Sequence, residues 1–232
     1  MKTRSTSRIY LPDALSENAT IALNGDILHY IRNVLRLKIN DKLRVFNESS
    51  GEFVSNIIDM SKRELQLKVE KLVKKPHSVP RLVIALCIIK NDKMADMISM
   101  VVQLGVTEII PIISEYVVHR NFNHERFQRI AQESAEQCER LDVPVITEPV
   151  LLEDFLKKSR NKVIYAYENS DFEFVRDEDA IYMIGPEGGF SEKDVGILKG
   201  SGAVPVSLGR NILRAETAAA SMVSIVQFLR GM

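Results

Sequence analysis

Hydrophobic positions follow two different periods along this chain, and the change comes close to residue 76. Before it, apolar and polar residues alternate in three short segments, at residues 42–46, 52–58 and 64–69. A period of two predicts β-strands with one buried face, and turn-forming stretches at 47–51 and 61–63 separate them. We therefore expect a small antiparallel β-barrel or sheet over residues 1–75.

After residue 76 short apolar runs alternate with segments of helical period. The predicted strands are 82–89, 108–113, 143–146, 163–167, 180–184 and 204–208, and the predicted helices are 92–104, 124–141, 151–159, 192–199 and 215–229. Such an order predicts an α/β domain with a mostly parallel sheet and helices on both faces. Pro76 and Pro80 mark the linker, so we expect two domains, 1–75 and 76–232.

Charge is unevenly distributed, although the 232-residue chain has 31 basic and 31 acidic residues in total. Residues 1–75 hold 14 Lys and Arg against 9 Asp and Glu, a net charge of +5, and the remainder holds 17 against 22, a net charge of −5. A basic portion of this kind is an electrostatic footprint for nucleic acid. A solvated surface rich in lysine gives the same balance, so charge alone leaves both interpretations open.

The sequence argues against a membrane protein and against a metal-binding protein. No apolar stretch approaches the roughly 18 residues that cross a membrane, and the basic opening at residues 1–8 lacks the apolar core of a secretion signal, so we expect a cytoplasmic protein. Cys87 and Cys138 are expected to be buried, reduced thiols. The histidines form no metal-ligand spacing, and we expect no metal: His29, His77, His119 and His124.

Two glycine-bearing loops near the C-terminus each follow an apolar run and lead into a helix. The first is Gly185-Pro186-Glu187-Gly188-Gly189-Phe190, and Ser191 with Asp194 can form a capping box for the next helix. Loops at the carboxyl ends of parallel strands are where α/β sheets bind ligands, although a tight structural turn looks the same. The dinucleotide and P-loop glycine patterns are both missing from the sequence.

The second loop, Leu208-Gly209-Arg210-Asn211-Ile212-Leu213-Arg214-Ala215-Glu216, carries more charge. The helix after it is rich in small residues and almost uncharged, so we expect it to be buried nearly all round, within the chain or against a second subunit. Arg214 and Glu216 are therefore candidate site residues. A purely structural ion pair between them is the alternative.

Together these motifs resemble the SPOUT superfamily of trefoil-knotted methyltransferases. More narrowly, they resemble the bacterial family that methylates N3 of a uridine in small-subunit (16S) ribosomal RNA. Further segments match that family in the same order along the chain: His29-Tyr30-Ile31-Arg32-Asn33-Val34-Leu35-Arg36, Lys90-Asn91-Asp92-Lys93-Met94, Leu104-Gly105-Val106, Glu136-Gln137 and Ala166-Tyr167-Glu168. Gln103 stands where that family usually has Glu, which removes a charge.

The resemblance implies a knotted α/β domain after an N-terminal PUA-like RNA-binding domain, and a homodimer. It also implies S-adenosylmethionine held in the knot by three loops, largely through backbone. The expected cofactor-binding residues are Ala166, Tyr167, Ile184, Gly185, Glu187, Gly188, Gly189, Leu208, Gly209, Asn211, Ile212 and Leu213.

Uracil N3 carries a proton that must leave before or during methyl transfer. Arg214 is the candidate that orients the base and stabilises its developing charge, Glu216 is the first candidate for base or base-orienter, and Glu187 is the second. The expected contacts to the 16S ribosomal RNA of the small subunit are Arg8, His29, Arg32 and Arg36, with Arg44 as a further phosphate contact.

Two other functions are compatible with parts of the pattern. Another SPOUT enzyme, acting on tRNA or on a ribose 2′-hydroxyl, would keep both loops and change the target. A noncatalytic ribosome-binding factor would account for the basic first domain but not for the two glycine loops.

Overall fold

The computed structural model describes residues 7–117, 122–168, 170, 174 and 177–231. His119 and most of the basic opening segment lie outside these residues. The described chain divides into two compact units. The first contains the described residues up to Ser78 together with Glu136–Val143, and the second contains Val79–Ala135 and Pro144–Met232. The predicted boundary at 75/76 stays a prediction.

The first unit is built on a five-stranded sheet. Its strands are β1 (Arg8–Tyr10), β2 (Thr20–Leu23), β3 (Lys42–Asn47), β4 (Gly51–Met60) and β5 (Leu65–Lys74), in the order β1-β3-β4-β5-β2. All neighbours are antiparallel except β1 and β3. The three strands predicted from alternation are confirmed as β3, β4 and β5, and the last two are longer than predicted.

A helical segment follows β2 in the first unit. It consists of α1 (Gly25–His29) and a π-helical turn (Tyr30–Val34). The apolar side chains of this segment, including Leu28 and Ile31, are buried in the same core as the inward-facing residues of the strands, such as Leu43, Val45 and Leu67. Alternation did not predict β1, β2 or this helical segment, because each is too short to show a period.

Arg8 attaches the chain segment Glu136–Val143 to the first unit. Its guanidinium donates hydrogen bonds to the backbone carbonyls of Glu136 at 2.7 Å and of Arg140 at 2.8 Å. The Glu136 carboxylate in turn accepts from the backbone N–H of Tyr10 at 3.0 Å. Glu136 and Gln137 are the last residues of the helix His124–Gln137, so the end of that helix belongs to the first unit and is bonded to the first strand.

The second unit is an α/β sheet. Its strands are β6 (Val83–Cys87), β7 (Glu108–Ile113), β8 (Val145–Ile146), β9 (Val150–Leu151), β10 (Val163–Ala166), β11 (Ile181–Ile184) and β12 (Val204–Val206), and its helices are α2 (Asn91–Gln103), α3 (His124–Gln137), α4 (Leu152–Lys158), α5 (Glu192–Gly200) and α6 (Ala215–Leu229). The strand order is β12-β10-β11-β6-β7-β8, with β9 also paired to β7, and all pairs are parallel. The predicted α/β fold class is confirmed.

Helix α6 determines how the C-terminal part of the chain runs. The strand before it, β12, lies at the edge of the sheet, yet α6 packs on α2 and β11. Its buried side chains repeat at helical spacing, at Ala215, Ala218, Ala219, Met222, Val223 and Val226. The chain must therefore cross from the edge strand back over β10 and β11, which is the step on which the expected knot depends.

The prediction that α6 is buried nearly all round is wrong for the chain by itself. Thr217, Ser224 and Phe228 are exposed, so the helix buries one face and leaves another open. Small residues on the buried face allow close approach to α2, whose inward side chains include Met94, Met97 and Val101. Within the described part of the chain, no helix is long and apolar enough to cross a membrane.

We predict opposite effects of alanine at two glycines of the second unit. Gly105 has a φ of +95°, and an added Cβ would overlap Nε2 of Gln227, which donates to the carbonyl of Leu104 at 2.9 Å. Gly105→Ala should therefore lower the free energy of unfolding by about 1–3 kcal/mol. Gly196 lies inside α5, and an added Cβ there would have nothing within 4 Å. Gly196→Ala should therefore raise the free energy of unfolding by roughly 0.5–1 kcal/mol.

Thermal unfolding followed by circular dichroism checks this pair. The midpoint should fall for Gly105→Ala and rise slightly for Gly196→Ala. Equal midpoints for the two variants would contradict the described packing of the Leu104-Gly105 turn on α6.

Candidate functional site

A cleft of about 260 Å³ lies at the carboxyl ends of β10, β11 and β12. Because the three strands are parallel neighbours, the loops that follow them meet at one edge of the sheet. The cleft is lined by Ala166, Tyr167, Glu168, Ile184, Gly185, Pro186, Glu187, Gly188, Gly189, Phe190, Leu208, Gly209, Asn211, Ile212, Leu213, Ala215 and Ala218. All twelve residues that the sequence assigned to the cofactor lie in this wall.

The sequence did not single out five further residues of the cleft wall, although each stands in or beside a quoted motif: Glu168, Pro186, Phe190, Ala215 and Ala218. Pro186 and Phe190 belong to the first glycine loop. The alanines belong to the first turns of α6. Ala215 and Ala218 are three residues apart, so the sequence pattern could have placed them on one face of the helix, beside Leu213.

The first glycine loop is tight enough to need its glycines. An added Cβ on Gly185 would lie 3.0 Å from the ring of Phe190, and Gly189 has a φ of +72°. The loop ends in the predicted capping box, which is confirmed: Ser191 Oγ accepts from the Asp194 N–H at 3.0 Å, and Asp194 Oδ2 accepts from the Ser191 N–H at 3.2 Å. The loop is thus fixed at both ends, by β11 and by the start of α5.

Aromatic side chains form one side of the cleft. Tyr167 and Phe190 line it, and Tyr165 lies behind them in the core with ring centroids 5.9 and 5.7 Å from theirs. Burial, followed by the effect of Tyr167, raises the pKa of the Tyr165 hydroxyl, so this group stays neutral at physiological pH. The wall is therefore apolar and uncharged on this side.

The second glycine loop contributes backbone polar groups. Among the residues that the structure describes, the N–H groups of Asn211, Ile212 and Leu213 donate no hydrogen bond to the chain. Backbone donors at a cleft wall are normally satisfied by water or by a ligand. This loop can therefore hold the polar edge of a small molecule without using side chains.

The two candidate catalytic residues lie beside the cleft, but neither side chain lines it. Arg214 is the residue that precedes the first turn of α6, and its side chain is exposed without a hydrogen-bond or ion-pair partner in the described ranges. Glu216 is 8% exposed, and its Oε1 lies 3.5 Å from Nζ of Lys93 on α2. The ion pair of Glu216 is thus made with Lys93, whereas the sequence had suggested Arg214 as the structural partner.

Glu187 is the candidate carboxylate that does line the cleft. It is exposed, and its Oε1 lies 3.5 Å from the backbone N of Lys90. A carboxylate at the cleft wall can accept a proton from a bound molecule, whereas one that is buried beside a lysine is better placed to fix a helix end. The geometry thus brings the second candidate closer to the cleft than the first.

The two cysteines differ in burial, and the acidic residues form no metal cluster within the described part of the chain. Cys87 is buried, and burial raises its pKa to about 12, so the thiol is unreactive. Cys138 is only partly buried, contrary to the expectation for this residue. Among the described residues no group of three or more His, Cys, Asp or Glu side chains could hold a metal ion.

In the first unit, Arg8 occupies a different position from the other predicted RNA contacts. It is 8% exposed, its Nε donates to Glu52 Oε1 at 3.0 Å, and its guanidinium lies 4.0 Å from the centre of the Phe46 ring. Arg44 also pairs with Glu52, at 3.3 Å. Arg8 is therefore part of the interior and is not positioned to reach a phosphate.

His29 and Arg32 lie on the helical segment after β2, and Arg36 lies just after that segment. Arg32 and Arg36 line an open cleft together with Leu37, Lys38, Ile39 and Met60. His29 is exposed, and its Nδ1 lies 2.8 Å from Nδ2 of Asn33. Basic and apolar groups on one exposed surface can bind both the phosphates and the bases of an RNA strand.

Comparison with known proteins agrees with both units. A family model described as an RNA methyltransferase domain matches residues 75–227, and one described as an RNA methyltransferase PUA domain matches residues 23–70. The ribosomal RNA small subunit methyltransferase E of Rickettsia conorii is 40% identical over 233 residues, which cover 96% of each chain.

Solved structures of similar proteins extend over almost the whole chain. The ribosomal RNA small subunit methyltransferase E of Neisseria gonorrhoeae, bound to S-adenosylmethionine, has a TM-score of 0.87 at 27% identity and covers 97% of this chain and 98% of its own. A putative methyltransferase of Legionella pneumophila, also with bound S-adenosylmethionine, has a TM-score of 0.86 at 27% identity with the same coverage. The family recognised from the sequence motifs is confirmed, and this chain belongs to the RNA methyltransferase family that carries an N-terminal PUA domain.

Proposed function

We propose that this protein transfers the methyl group of S-adenosylmethionine to N3 of a uridine in small-subunit (16S) ribosomal RNA. The cleft formed by three loop ends at the carboxyl edge of a parallel sheet carries the proposal. Its support from other proteins is that two similar structures contain S-adenosylmethionine and that the Rickettsia and Neisseria relatives are named for the small ribosomal subunit RNA. We also propose that the protein acts in the cytoplasm, because its proposed substrate is ribosomal RNA.

The residues of the cleft fit this cofactor. The free N–H groups of Asn211–Leu213 suit the polar edge of an adenine ring, and the neutral aromatic wall of Tyr167 and Phe190 suits an apolar face. Gly188 and Gly189 leave their backbone open to close approach. When bound, S-adenosylmethionine supplies an electrophilic methyl group on a positively charged sulfur.

The chain must remove a proton from uracil N3 for the reaction to proceed. The N3 lone pair forms the new N–CH₃ bond as the S–CH₃ bond breaks, and the N3 proton passes to a base and then to water. Arg214, exposed and without a partner in the described ranges, can donate to a uracil carbonyl oxygen and stabilise the negative charge that develops there.

Glu187 and Glu216 have different parts in this proposal. Glu187 lines the cleft and accepts the N3 proton, because it is the exposed carboxylate of the two. Glu216 acts as the orienting group: its pair with Lys93 ties the first turn of α6 to α2, and so fixes the position of Arg214, two residues earlier. A carboxylate in the first turn of a helix is also favoured by the helix dipole.

RNA contacts in the proposal come from Arg32, Arg36 and His29 on the first unit. The backbone of Arg36 supports a functional reason for its identity, because its φ of +55° lies in the left-handed region that favours glycine. It follows Leu35, the residue that caps the π-helical turn, at a position where glycine is common. An arginine at such a position costs about 1 kcal/mol relative to glycine, and a contact between the cation and RNA would offset this cost.

A homodimer is also part of the proposal. Exposed apolar side chains on the second unit support it: Phe228 on α6 is 79% exposed, Met100 on α2 is 40% exposed, and Ile212 is 87% exposed. Since α2 and α6 pack together, their open faces form one surface that a second copy could cover.

Light scattering of the purified chain should give twice the mass of one chain, because two copies are expected to associate. A monomer at micromolar concentration would contradict the proposed homodimer.

One experiment tests the function directly. Small-subunit ribosomal RNA and assembled small subunits from cells lacking this protein are incubated with the purified chain and S-adenosylmethionine, and methylated uridines are mapped by mass spectrometry. We expect a single 3-methyluridine to appear. Methylation at another atom or in tRNA would assign a different enzyme of the same fold, and no methylation with intact cofactor binding would favour a noncatalytic factor.

We predict that Glu187→Gln slows methyl transfer in a single turnover by about 100-fold or more, because a general base contributes 10²–10⁴-fold. Binding of S-adenosylmethionine, measured by calorimetry, should change by less than about threefold. Glu192→Gln, at an exposed position at the start of α5, is the matched control and should keep the wild-type rate.

Glu216→Gln separates the orienting role from the proton-accepting one. We expect a smaller loss of rate than for Glu187→Gln, together with a lower unfolding midpoint, since the ion pair with Lys93 is lost. If Glu216→Gln abolished the rate and Glu187→Gln did not, Glu216 would be the base instead.

We predict that Arg36→Gly weakens RNA binding while leaving the protein at least as stable, because glycine is favoured at the φ of +55°. The slope of log affinity against log salt concentration should become shallower by about 0.7–1 if Arg36 neutralises one phosphate. Asn18→Gly is the control, because Asn18 has a φ of +66° and carries no charge. An unchanged salt slope for Arg36→Gly would remove Arg36 from the RNA contacts.

A further inference from the structure

Tyr116 is an exposed aromatic residue that the proposed reaction has not yet used. It lies just past the carboxyl end of β7, on the same edge of the sheet as the cleft, and its side chain is 53% exposed. Among the described residues its hydroxyl has no hydrogen-bond partner and its ring has no aromatic neighbour. Within the described residues, no ring contact or hydroxyl hydrogen bond accounts for this exposed aromatic surface.

The ring of Tyr116 lies next to Gly188 of the cleft wall. A Cβ built on Gly188 would lie 3.8 Å from Cδ2 of Tyr116, which is van der Waals distance. Gly188 lines the cleft, as does its neighbour Glu187. The tyrosine ring therefore stands at the rim of the cleft, beside the carboxylate to which we assign the proton transfer.

The backbone on both sides of Tyr116 is held in place. The N–H of Glu115 lies 3.3 Å from Oδ2 of Asp194, whose carboxylate also caps α5, and the N–H of Val117 donates to the carbonyl of Ser114 at 3.3 Å. Ser114 and Val117 are buried, at 5% and 8% exposure. A short turn with buried residues at both ends thus presents the ring outward from a fixed backbone.

We propose that Tyr116 stacks against an unpaired nucleobase of the RNA substrate at the rim of the cleft. A uridine whose N3 is methylated must leave any base pair, since N3 is its pairing atom, and a base taken out of a stack needs another flat surface. Aromatic side chains provide that surface for any base. This inference rests on the proposed function and adds a residue that positions the RNA.

Stacking by Tyr116 has a different signature from phosphate contact. The ring carries no charge, so its loss should weaken RNA binding without changing the salt slope, whereas loss of Arg36 should change the slope. Stacking does not need the hydroxyl, so Tyr116→Phe should behave like the wild type. The two kinds of contact can therefore be separated in the same assay.

The kinetic test compares Tyr116→Ala with Tyr116→Phe in the full-length protein, with small-subunit ribosomal RNA as substrate. We expect the KM for RNA to rise about 5- to 100-fold for Tyr116→Ala and to stay within about twofold for Tyr116→Phe. The affinity for S-adenosylmethionine and the mass measured by light scattering should be unchanged for both. A KM for RNA of Tyr116→Ala within twofold of the wild-type value would overturn the assignment. A change in the mass measured by light scattering would also overturn it, and would indicate that Tyr116 contacts a second subunit instead.

A fluorescence test keeps an aromatic ring in place and so does not depend on the folding of the alanine variant. The chain has no tryptophan, so Tyr116→Trp introduces a single tryptophan at the rim, which can be excited selectively over the remaining tyrosines. Titration with an oligouridylate of about ten nucleotides should quench it, because a stacked base quenches indole emission. Val145→Trp is the control, since Val145 is 60% exposed and pairs with Glu108 at the amino end of β7, away from the cleft.

The outcomes distinguish this inference from the function on which it rests. Unquenched emission of Tyr116→Trp in a protein that methylates RNA would overturn the stacking role alone. A wild-type protein that neither binds S-adenosylmethionine nor methylates RNA would overturn the proposed function.

Discussion

The packing of α6 on α2 is the constraint on which the candidate site depends. A helix that follows an edge strand would normally cover that strand, but α6 buries its stripe of Ala, Met and Val against α2 and β11. The loop between β12 and α6 must then cross the carboxyl ends of β10 and β11. That crossing places Leu208–Leu213 opposite the first glycine loop, and Ala215 and Ala218 of the docked helix complete the cleft wall.

Small side chains make this docking possible, and they also explain why a larger side chain in the contact should destabilise it. Ala215, Ala218 and Ala219 let the helices approach closely, and the turn at Leu104-Gly105 leaves room for Gln227 where a Cβ would not fit. Lys93 and Glu216 add an ion pair at the end of the contact nearest the cleft. An exposed lysine paired with a buried carboxylate contributes modestly to stability, but it fixes the direction of the first turn of α6.

The positive charge of the first unit is divided between interior and surface. Arg8 and Arg44 pair with the buried Glu52, and Arg8 also binds the carbonyls that attach the segment Glu136–Val143. Arg32, Arg36 and Lys38 remain around an open cleft. Counting basic residues therefore predicts the sign of the surface, but it does not tell which arginines can meet RNA, since one ion pair inside the unit removes a cation from the surface.

The sequence by itself determined the α/β class, most strand and helix positions, the two glycine loops and the family, because periods of two and 3.6 and the glycine motifs are local properties. It also predicted the capping box of Ser191 and Asp194, which spans four residues. Only the tertiary structure decided that Arg8 is buried, that α6 has one open face, and that Glu187 rather than Glu216 lines the cleft. The positions of these side chains depend on partners that are distant along the chain, such as Glu52 for Arg8 and Lys93 for Glu216. A local sequence pattern carries no information about which distant residue will lie beside a given side chain.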